Sequence, residues 1–89
     1  MPKFVILIPS YNEKKTLVKV IKKLHKFKIQ IIDDCSQDNT KKAIKNFKNV
    51  RLYKNKINIG YEQSLNKGFK LLGNSNFDFI ITMDADGEH

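Results

Sequence analysis

The stretch that decides the fold is residues 77–89, FDFIITMDADGEH. An apolar run rich in β-forming residues leads directly into two carboxylates one residue apart, Asp84 and Asp86, followed by a glycine, a third acid and a histidine. This pattern predicts a strand that carries acids at its carboxyl end, where open parallel sheets bind their ligands. Carboxylate oxygens in that place favour a hard divalent cation such as Mg²⁺ or Mn²⁺. A solvated acidic turn is the alternative, and an isolated D-x-D does not decide between the two.

The composition is typical of a globular protein, with 40% hydrophobic and 29% charged residues in a chain of 89. This length predicts one domain, and no apolar run approaches the ~20 residues that span a bilayer. Because no signal-peptide pattern is present either, we expect a cytoplasmic protein, with a peripheral position at the inner membrane face as a further option. The single Cys35 excludes an intramolecular disulfide and is expected to lie in a loop.

The formal net charge of +8 comes almost entirely from lysines, with Arg51 as the only arginine. A basic balance of this size favours anionic partners, including nucleic acid, an anionic membrane surface and phosphorylated small molecules, without selecting one. Most lysines fall in predicted helices, where solvated helix faces explain them. Nucleic acid is the weaker candidate because the sequence lacks the interleaved aromatic residues and arginines of RNA-binding domains.

Four apolar runs alternate with three helical patterns. The strands are predicted at residues 4–8, 29–32, 50–53 and 77–83, and the first two are continuous apolar runs that suit buried parallel strands. The apolar positions of the intervening segments recur at helical spacing, namely Leu17, Val20, Ile21 and Leu24, then Ala43, Ile44 and Phe47, then Leu65, Phe69 and Leu72 in a helix over residues 61–72.

Local signals predict where the first elements end. Pro9 is expected to end the first strand, and Ser10 with Glu13 has the spacing of a capping box for the helix that follows. Asp38 or Ser36 is placed to cap the second helix.

The order β-α-β-α-β-α-β predicts an α/β, Rossmann-like fold with a mostly parallel sheet and helices on both faces. We expect the strand order 3-2-1-4, which puts a topological switch point between the first and fourth strands. The turn at residues 9–13, the turn that begins with Asp33 and Asp34, and the turn at residues 84–89 would then rim one crevice. Scattered solvated acids would have no reason to gather in this way.

Other phosphate and metal motifs fit less well. Neither G-x-G-x-x-G nor the Walker pattern follows the first strand. An EF-hand that began at Asp84 would need its glycine where His89 stands. Phosphatases with an aspartyl nucleophile also carry D-x-D-G, but after the first strand of the chain rather than the last.

Four short motifs occur in the order in which family 2 inverting glycosyltransferases carry them. They are IPSYNE at residues 8–13, IDDCSQDNT at 32–40, NIG at 58–60 with NKG at 66–68, and MDADGEH at 83–89. The chain resembles this family over essentially its whole length, in particular the dolichol-phosphate mannosyltransferases and bacterial polyprenyl-phosphate sugar transferases. The resemblance implies the N-terminal half of a GT-A fold, with residues 1–89 as a single nucleotide-sugar-binding domain that stops after the D-x-D.

The resemblance also implies which residues contact the nucleotide. The tyrosine that matches Tyr11 packs against the base, and Pro9 and Glu13 line the same pocket. Tyr11 could instead pack on the following helix as a hydrophobic staple. The family's equivalent of Asp34 accepts a hydrogen bond from the base, and Ile32 is expected at the pocket wall.

The implied metal and diphosphate site lies in the last motif. Asp84 would face the ribose or a metal-bound water, Ala85 would line the nucleotide pocket, and Asp86 would coordinate Mg²⁺ or Mn²⁺. Glu88 stands where polyprenyl-phosphate sugar transferases have a glutamine as a further ligand, so the predicted metal set is Asp84, Asp86 and Glu88. His89 could add a ligand.

The implied activity is transfer of a sugar from a UDP- or GDP-sugar to an acceptor, for which a polyprenyl phosphate at a membrane surface is one candidate. The family's catalytic base lies downstream of the D-x-D, so we expect no catalytic residue in this chain and no turnover by it alone. A non-catalytic nucleotide or nucleotide-sugar binding module is the alternative, ahead of a basic nucleic-acid-binding domain. An uncovered fourth strand would also offer an edge for self-association.

Overall fold

The sheet runs through the centre of the fold and all of its strands are parallel. The computed structural model describes residues 2–86. In chain order the elements are β1 (Phe4–Ser10), α1 (Lys14–Lys23), β2 (Lys28–Asp33), α2 (Thr40–Ile44), β3 (Val50–Lys54), α3 (Tyr61–Leu72) and β4 (Phe79–Thr82). The strand order is β3-β2-β1-β4, and each neighbouring pair is parallel. The predicted fold class, element order and strand order are therefore confirmed.

Helices cover both faces of the sheet, as the periodicity predicts. Leu17, Val20 and Ile21 of α1 are buried in one core, which also contains Ile44 of α2. Leu72 of α3 belongs to a second core on the opposite face. Burying each such aliphatic side chain contributes roughly 1.5–3 kcal/mol, so the central strands β1 and β2 are held from both sides.

The approach of α3 to β1 depends on a residue without a side chain. Gly68 is buried in α3, and a Cβ atom built there would lie 2.3 Å from Leu7 Cδ1 and 3.0 Å from Leu7 Cγ. Leu7 itself is fully buried, so its side chain has no free space into which it could withdraw. The helix therefore lies closer to the sheet than an alanine would allow.

We expect Gly68→Ala to lower the free energy of unfolding by about 1–3 kcal/mol, because overpacking outweighs the gain of about 1 kcal/mol in helix propensity. Urea unfolding followed by circular dichroism measures this. Gly73→Ala is the matched control, since its Cβ would meet only ordinary contacts at 3.4 Å or more and its φ is −63°. Equal stability of the two variants would contradict the close approach.

The predicted end of β1 at Pro9 is wrong, because the strand continues to Ser10, which pairs with Asp33. The amide of Met83 donates to the carbonyl of Leu7, so odd-numbered residues of β1 turn toward β4. Pairing of β1 with β4 ends at Leu7. Pro9 lies beyond that pair, so its missing N–H removes no hydrogen bond from the sheet.

The predicted capping box is also wrong. Helix α1 begins at Lys14, and Ser10 Oγ is buried with no hydrogen-bond partner among residues 2–86. The amide of Lys14 instead donates to Asp38 Oδ2 at 3.1 Å. Burial opposes ionisation of Asp38, but hydrogen bonds from the Thr40 hydroxyl and the Lys14 amide outweigh it and lower the pKa of the carboxyl. A carboxylate from the β2–α2 loop thus takes the role expected of a local residue.

Helix α2 is shorter than its apolar spacing suggests. It ends at Ile44, so Phe47 packs against the core from outside the helix. Its N-cap is Asn39 in the left-handed region at φ +60°, with no side-chain cap, so neither Asp38 nor Ser36 caps it. Cys35 lies in the same loop, as expected.

The outer strand β4 is an edge of the sheet within the described residues. Phe79 is 53% exposed and Ile81 is 41% exposed, so apolar side chains accompany this edge. Self-association through β4 stays a prediction.

Among residues 2–86, no helix has both the length and the apolar character needed to cross a membrane.

Candidate functional site

A groove lies at the carboxyl ends of the strands, at the switch point between β1 and β4. It consists of one cavity of about 380 Å³ beside Asp34 and a second of about 400 Å³ beside Asp84 and Asp86. Three residues line both cavities and so join them: Pro9, Glu13 and Tyr61. The remaining lining residues are Ser10, Tyr11, Asp34, Asn58, Gly60 and Ser64 in the first cavity and Asp84, Ala85 and Asp86 in the second.

Asp34 is a nearly buried carboxylate, only 4% exposed. Its Oδ1 accepts hydrogen bonds from the Ile59 amide at 2.8 Å and from Asn55 Nδ2 at 3.0 Å, and its Oδ2 accepts from the Gly60 amide at 2.8 Å. Burial alone would raise the pKa of Asp34. The hydrogen bonds from Ile59, Asn55, Gly60 and Ser64 outweigh it and hold the pKa below its ordinary value. Asp34 is therefore a firmly ionised acceptor at neutral pH.

The neighbouring carboxylate, Asp33, serves the loop rather than the groove. It accepts hydrogen bonds from both the amide and the hydroxyl of Ser36. Ser36 Oγ in turn accepts from the Asn12 amide at 2.8 Å, and Asn12 Oδ1 accepts from the Gln37 amide at 2.8 Å. These bonds tie the loops after β1 and β2 together, which fixes the position of Tyr11 and Glu13.

Negative charge accumulates at the other end of the groove. Burial raises the pKa of Glu13, and the charges of Asp86 and Asp84 raise it further, so these three carboxylates lie within electrostatic reach of one another. Ala85, between the two aspartates, is 2% exposed and packs in the core on the α1 side. Its burial pins the turn after β4 while Asp86 stays exposed.

Tyr61 reaches into this acidic end from the first turn of α3. Its hydroxyl donates a hydrogen bond of 2.9 Å to Asp84 Oδ1. That hydrogen bond raises the pKa of Tyr61, and burial and the charge of Asp84 add to the effect.

The predicted metal set is only partly visible. Glu88 and His89 lie outside the described residues, and no cluster of three or more His, Cys, Asp or Glu side chains suited to a metal ion occurs among residues 2–86. Asp84 and Asp86 are one pair of carboxylates, which is what Mg²⁺ takes when waters and substrate phosphates complete its shell. Carboxylate oxygens are donors that suit Mg²⁺ or Mn²⁺. A cation bound there would also neutralise the negative charges of Asp84 and Asp86, which contribute to the raised pKa of Glu13. The residues present fit a cation shared with a phosphorylated ligand.

Most of the predicted nucleotide-contacting residues come together here, and one does not. Tyr11 is 47% exposed and lies on the lining of the first cavity, where an aromatic ring could stack on a planar ligand. Ile32 was expected at the pocket wall. It is instead fully buried in the core beneath α3 and lines neither cavity, because alternate residues of β2 point into opposite cores.

Sequence reasoning missed the polar residues that hold the site together. Asn55 follows β3 and bridges Asp34 and Ser64, donating 3.0 Å hydrogen bonds to both. Tyr61 is missing from the predicted site although it directly follows Gly60 at the start of α3. The signal that was available is the position of Asn55, Asn58 and Tyr61 at the carboxyl end of β3, which is where such sheets place ligands.

Fold and groove together define a parallel α/β protein with a groove at the switch point of the sheet. The sequence model described as glycosyl transferase family 2 matches residues 5–89. The chain belongs to that family.

The similar proteins include two that are named as N-acetylglucosaminyltransferases. The chain is 36% identical to an uncharacterized protein of Methanocaldococcus jannaschii, MJ0544, over 96% of this chain and 41% of that protein. It is 32% identical to the UDP-N-acetylglucosamine–dolichyl-phosphate N-acetylglucosaminyltransferase of Methanococcus voltae, over 94% of this chain and 41% of that enzyme. Identity to the Staphylococcus aureus poly(ribitol-phosphate) beta-N-acetylglucosaminyltransferase TarS is 28%, over 97% of this chain and 16% of that enzyme. The chain thus spans less than half the length of these relatives.

In Asp34→Asn, an NH₂ group replaces one of the two accepting oxygens and faces a buried donor. We therefore expect the free energy of unfolding at pH 7 to fall by about 2–4 kcal/mol. The folded-state pKa of Asp34 is lowered, so its contribution is present above the unfolded-state value near 3.9 and is lost as pH falls through the folded-state value. The stability difference between wild type and variant should therefore shrink below pH 4.

Urea unfolding at pH 7 and pH 3 measures this difference. Asp78→Asn is the control, because Asp78 is exposed at the opposite, amino end of the strands and an asparagine oxygen can still accept its 2.8 Å hydrogen bond from the Lys3 amide. It should change stability by less than about 0.5 kcal/mol. A difference for Asp34→Asn that stays constant with pH would contradict the assigned ionisation.

Proposed function

We propose that this chain binds the nucleotide diphosphate part of a sugar donor for glycosyl transfer. One observation carries the proposal: a single groove at the switch point has a buried, ionised acceptor at one end, Asp34, and the acidic pair Asp84 and Asp86 at the other. A nucleotide diphosphate has the matching arrangement, with hydrogen-bond donors on its base and a charged group that travels with a divalent cation. Cavities of this size are typical of small-molecule sites.

At the base end, three groups have separate roles. The ring of Tyr11 stacks on the base, Pro9 forms an apolar floor, and Asp34 accepts a hydrogen bond from a base N–H. At the acidic end, Asp84 and Asp86 hold Mg²⁺ or Mn²⁺ together with the diphosphate, and Glu88 is a candidate further ligand. When bound, the cation would neutralise charge on the diphosphate leaving group.

The hydrogen bonds already made by Asp34 favour uracil over guanine. Oδ1 accepts from Asn55 and Ile59, Oδ2 accepts from Gly60, and the Ser64 hydroxyl competes for the last of about four acceptor positions. The carboxylate can therefore accept at most one bond from a base, in place of Ser64. Uracil offers a single N–H on its pairing edge. Guanine offers two adjacent donors, which need both oxygens of a carboxylate.

The name of one relative agrees with this choice, and the name of a second gives the sugar that it transfers. The Methanococcus voltae enzyme is named for a UDP-sugar donor and a dolichyl-phosphate acceptor, and TarS for N-acetylglucosaminyl transfer to poly(ribitol phosphate). We extend from them a UDP-sugar donor and a phosphate-bearing acceptor, with polyprenyl phosphate as the first candidate. The excess of lysine is compatible with work at the cytoplasmic face of an anionic membrane.

In the proposed reaction, an acceptor oxygen forms a bond to the anomeric carbon as the bond from that carbon to the diphosphate oxygen breaks. The nucleotide diphosphate leaves with the electron pair, and a base takes any proton that the acceptor carries. Attack from the side opposite the leaving group inverts the anomeric configuration. This chain supplies the donor site, and we place the base in sequence that follows the D-x-D in the full-length relatives.

We expect calorimetric titration to give metal-dependent binding of UDP that is weakened at least tenfold in Asp86→Asn, because the variant removes one of the paired carboxylates. Titrations with and without Mn²⁺ separate the metal-dependent part. Asp78→Asn makes the same change of charge at the amino end of β4, away from the groove, and should bind like wild type.

Binding that is equally strong without metal, or unchanged in Asp86→Asn, would contradict the donor-site assignment. Binding without turnover, tested with UDP-N-acetylglucosamine and a polyprenyl phosphate, would fit either a donor-binding half or a binding module. The same assay on a full-length relative with the Asp86-equivalent change separates these two.

UDP should bind at least tenfold more tightly than GDP under the same conditions, since guanine would leave one of its donors unpaired against Asp34. Competition between the two nucleotides for one site, followed by calorimetry, measures the ratio. Equal affinities, or a preference for GDP, would show that Asp34 does not select the base by the number of its free acceptor positions.

A further inference from the structure

Tyr61 occupies the junction of the groove. It lines both cavities, and its side chain is 56% exposed, yet its hydroxyl donates a 2.9 Å hydrogen bond to Asp84 Oδ1. An exposed aromatic side chain has no packing reason to hold one orientation. A hydrogen bond to an ionised carboxylate, which is short and strong, supplies one. The same bond occupies one oxygen of Asp84 and so restricts how that carboxylate turns.

The backbone behind Tyr61 is fixed by the other end of the groove. Its two preceding residues, Ile59 and Gly60, donate their amides to Asp34 at 2.8 Å each. Three consecutive residues therefore hold both ends of the groove, two through their amides and the third through its hydroxyl. The helix they start is itself held against β1 by the close contact of Gly68 with Leu7.

We propose that Tyr61 is a positioning residue that orients Asp84 toward the cation and diphosphate of the bound donor. The inference rests on the proposed function and adds a residue to it. The amide hydrogen bonds of Ile59 and Gly60 to Asp34 do not involve the Tyr61 hydroxyl. Loss of the hydroxyl should therefore weaken the metal-dependent binding of the diphosphate and leave binding of the nucleoside unchanged.

The test compares Tyr61→Phe with Tyr53→Phe, which removes a phenol hydroxyl from a residue that lines neither cavity. Two probes are titrated: UDP with Mn²⁺ by calorimetry, and uridine without metal by NMR chemical-shift changes. For Tyr61→Phe we expect about tenfold weaker binding of UDP with Mn²⁺ and uridine binding within about twofold of wild type. Tyr53→Phe should leave both unchanged. Equal losses for both probes, or no loss for UDP, would overturn the proposal.

A measurement without ligand keeps this inference separate from the proposed function. Unfolding of wild type, Tyr61→Phe, Asp84→Ala and the double variant forms a double-mutant cycle. We expect the two substitutions to be non-additive, since each removes the same contact. If wild type binds neither probe, the proposed function fails and with it the role toward the donor. Additive effects in the cycle would show that Tyr61 does not hold Asp84.

Discussion

The site depends on one buried carboxylate. Asp34 is 4% exposed, and a charge so far removed from water is stable only when hydrogen bonds replace its solvation. The donors that do so are Asn55, Ile59 and Gly60, in the loop that joins β3 to α3, and the Ser64 hydroxyl in the first turn of α3. Asp34 is thus the acceptor whose hydrogen bonds hold this loop over the carboxyl end of β2. Its position determines where α3 begins and, through α3, where Tyr61 meets Asp84.

A single backbone conformation makes this arrangement possible. Gly60 has φ of +91°, a region that side chains with a Cβ atom adopt only with strain. In that conformation its amide points at Asp34 while its carbonyl accepts the hydrogen bond of Ser64 one turn into the helix. The space around its Cα is open, so the requirement comes from the dihedral angle alone. The NIG motif at residues 58–60 therefore has a physical reason within this chain.

The sequence was a good guide where a property repeats along the chain. The apolar runs of β1 and β2 and the apolar positions of α1 and α3 give the elements and their buried faces, and the alternation of strands with helices gives the parallel sheet. It was a poor guide at helix ends, because the groups that satisfy them come from elsewhere. Lys14 is bonded by Asp38, 24 residues away, so the local pair of Ser10 and Glu13 misleads. The same reason hides Asn55, whose partners Asp34 and Ser64 are brought to it only by the fold.

Charge is distributed on two scales, and the two act on a phosphorylated ligand in opposite directions. The chain as a whole has a formal charge of +8, which attracts anions toward it over about a Debye length. Inside the groove, partial burial raises the pKa of Glu13, and the negative charges of Asp86 and Asp84 raise it further. A bare diphosphate would meet repulsion there, whereas a diphosphate paired with a divalent cation would meet attraction. The acidic end of the groove therefore favours a diphosphate that carries a divalent cation over one that does not. The end at Asp34 favours a base with one hydrogen-bond donor over a base with two. These are independent constraints on one ligand, and a nucleoside diphosphate carried with a metal ion satisfies both.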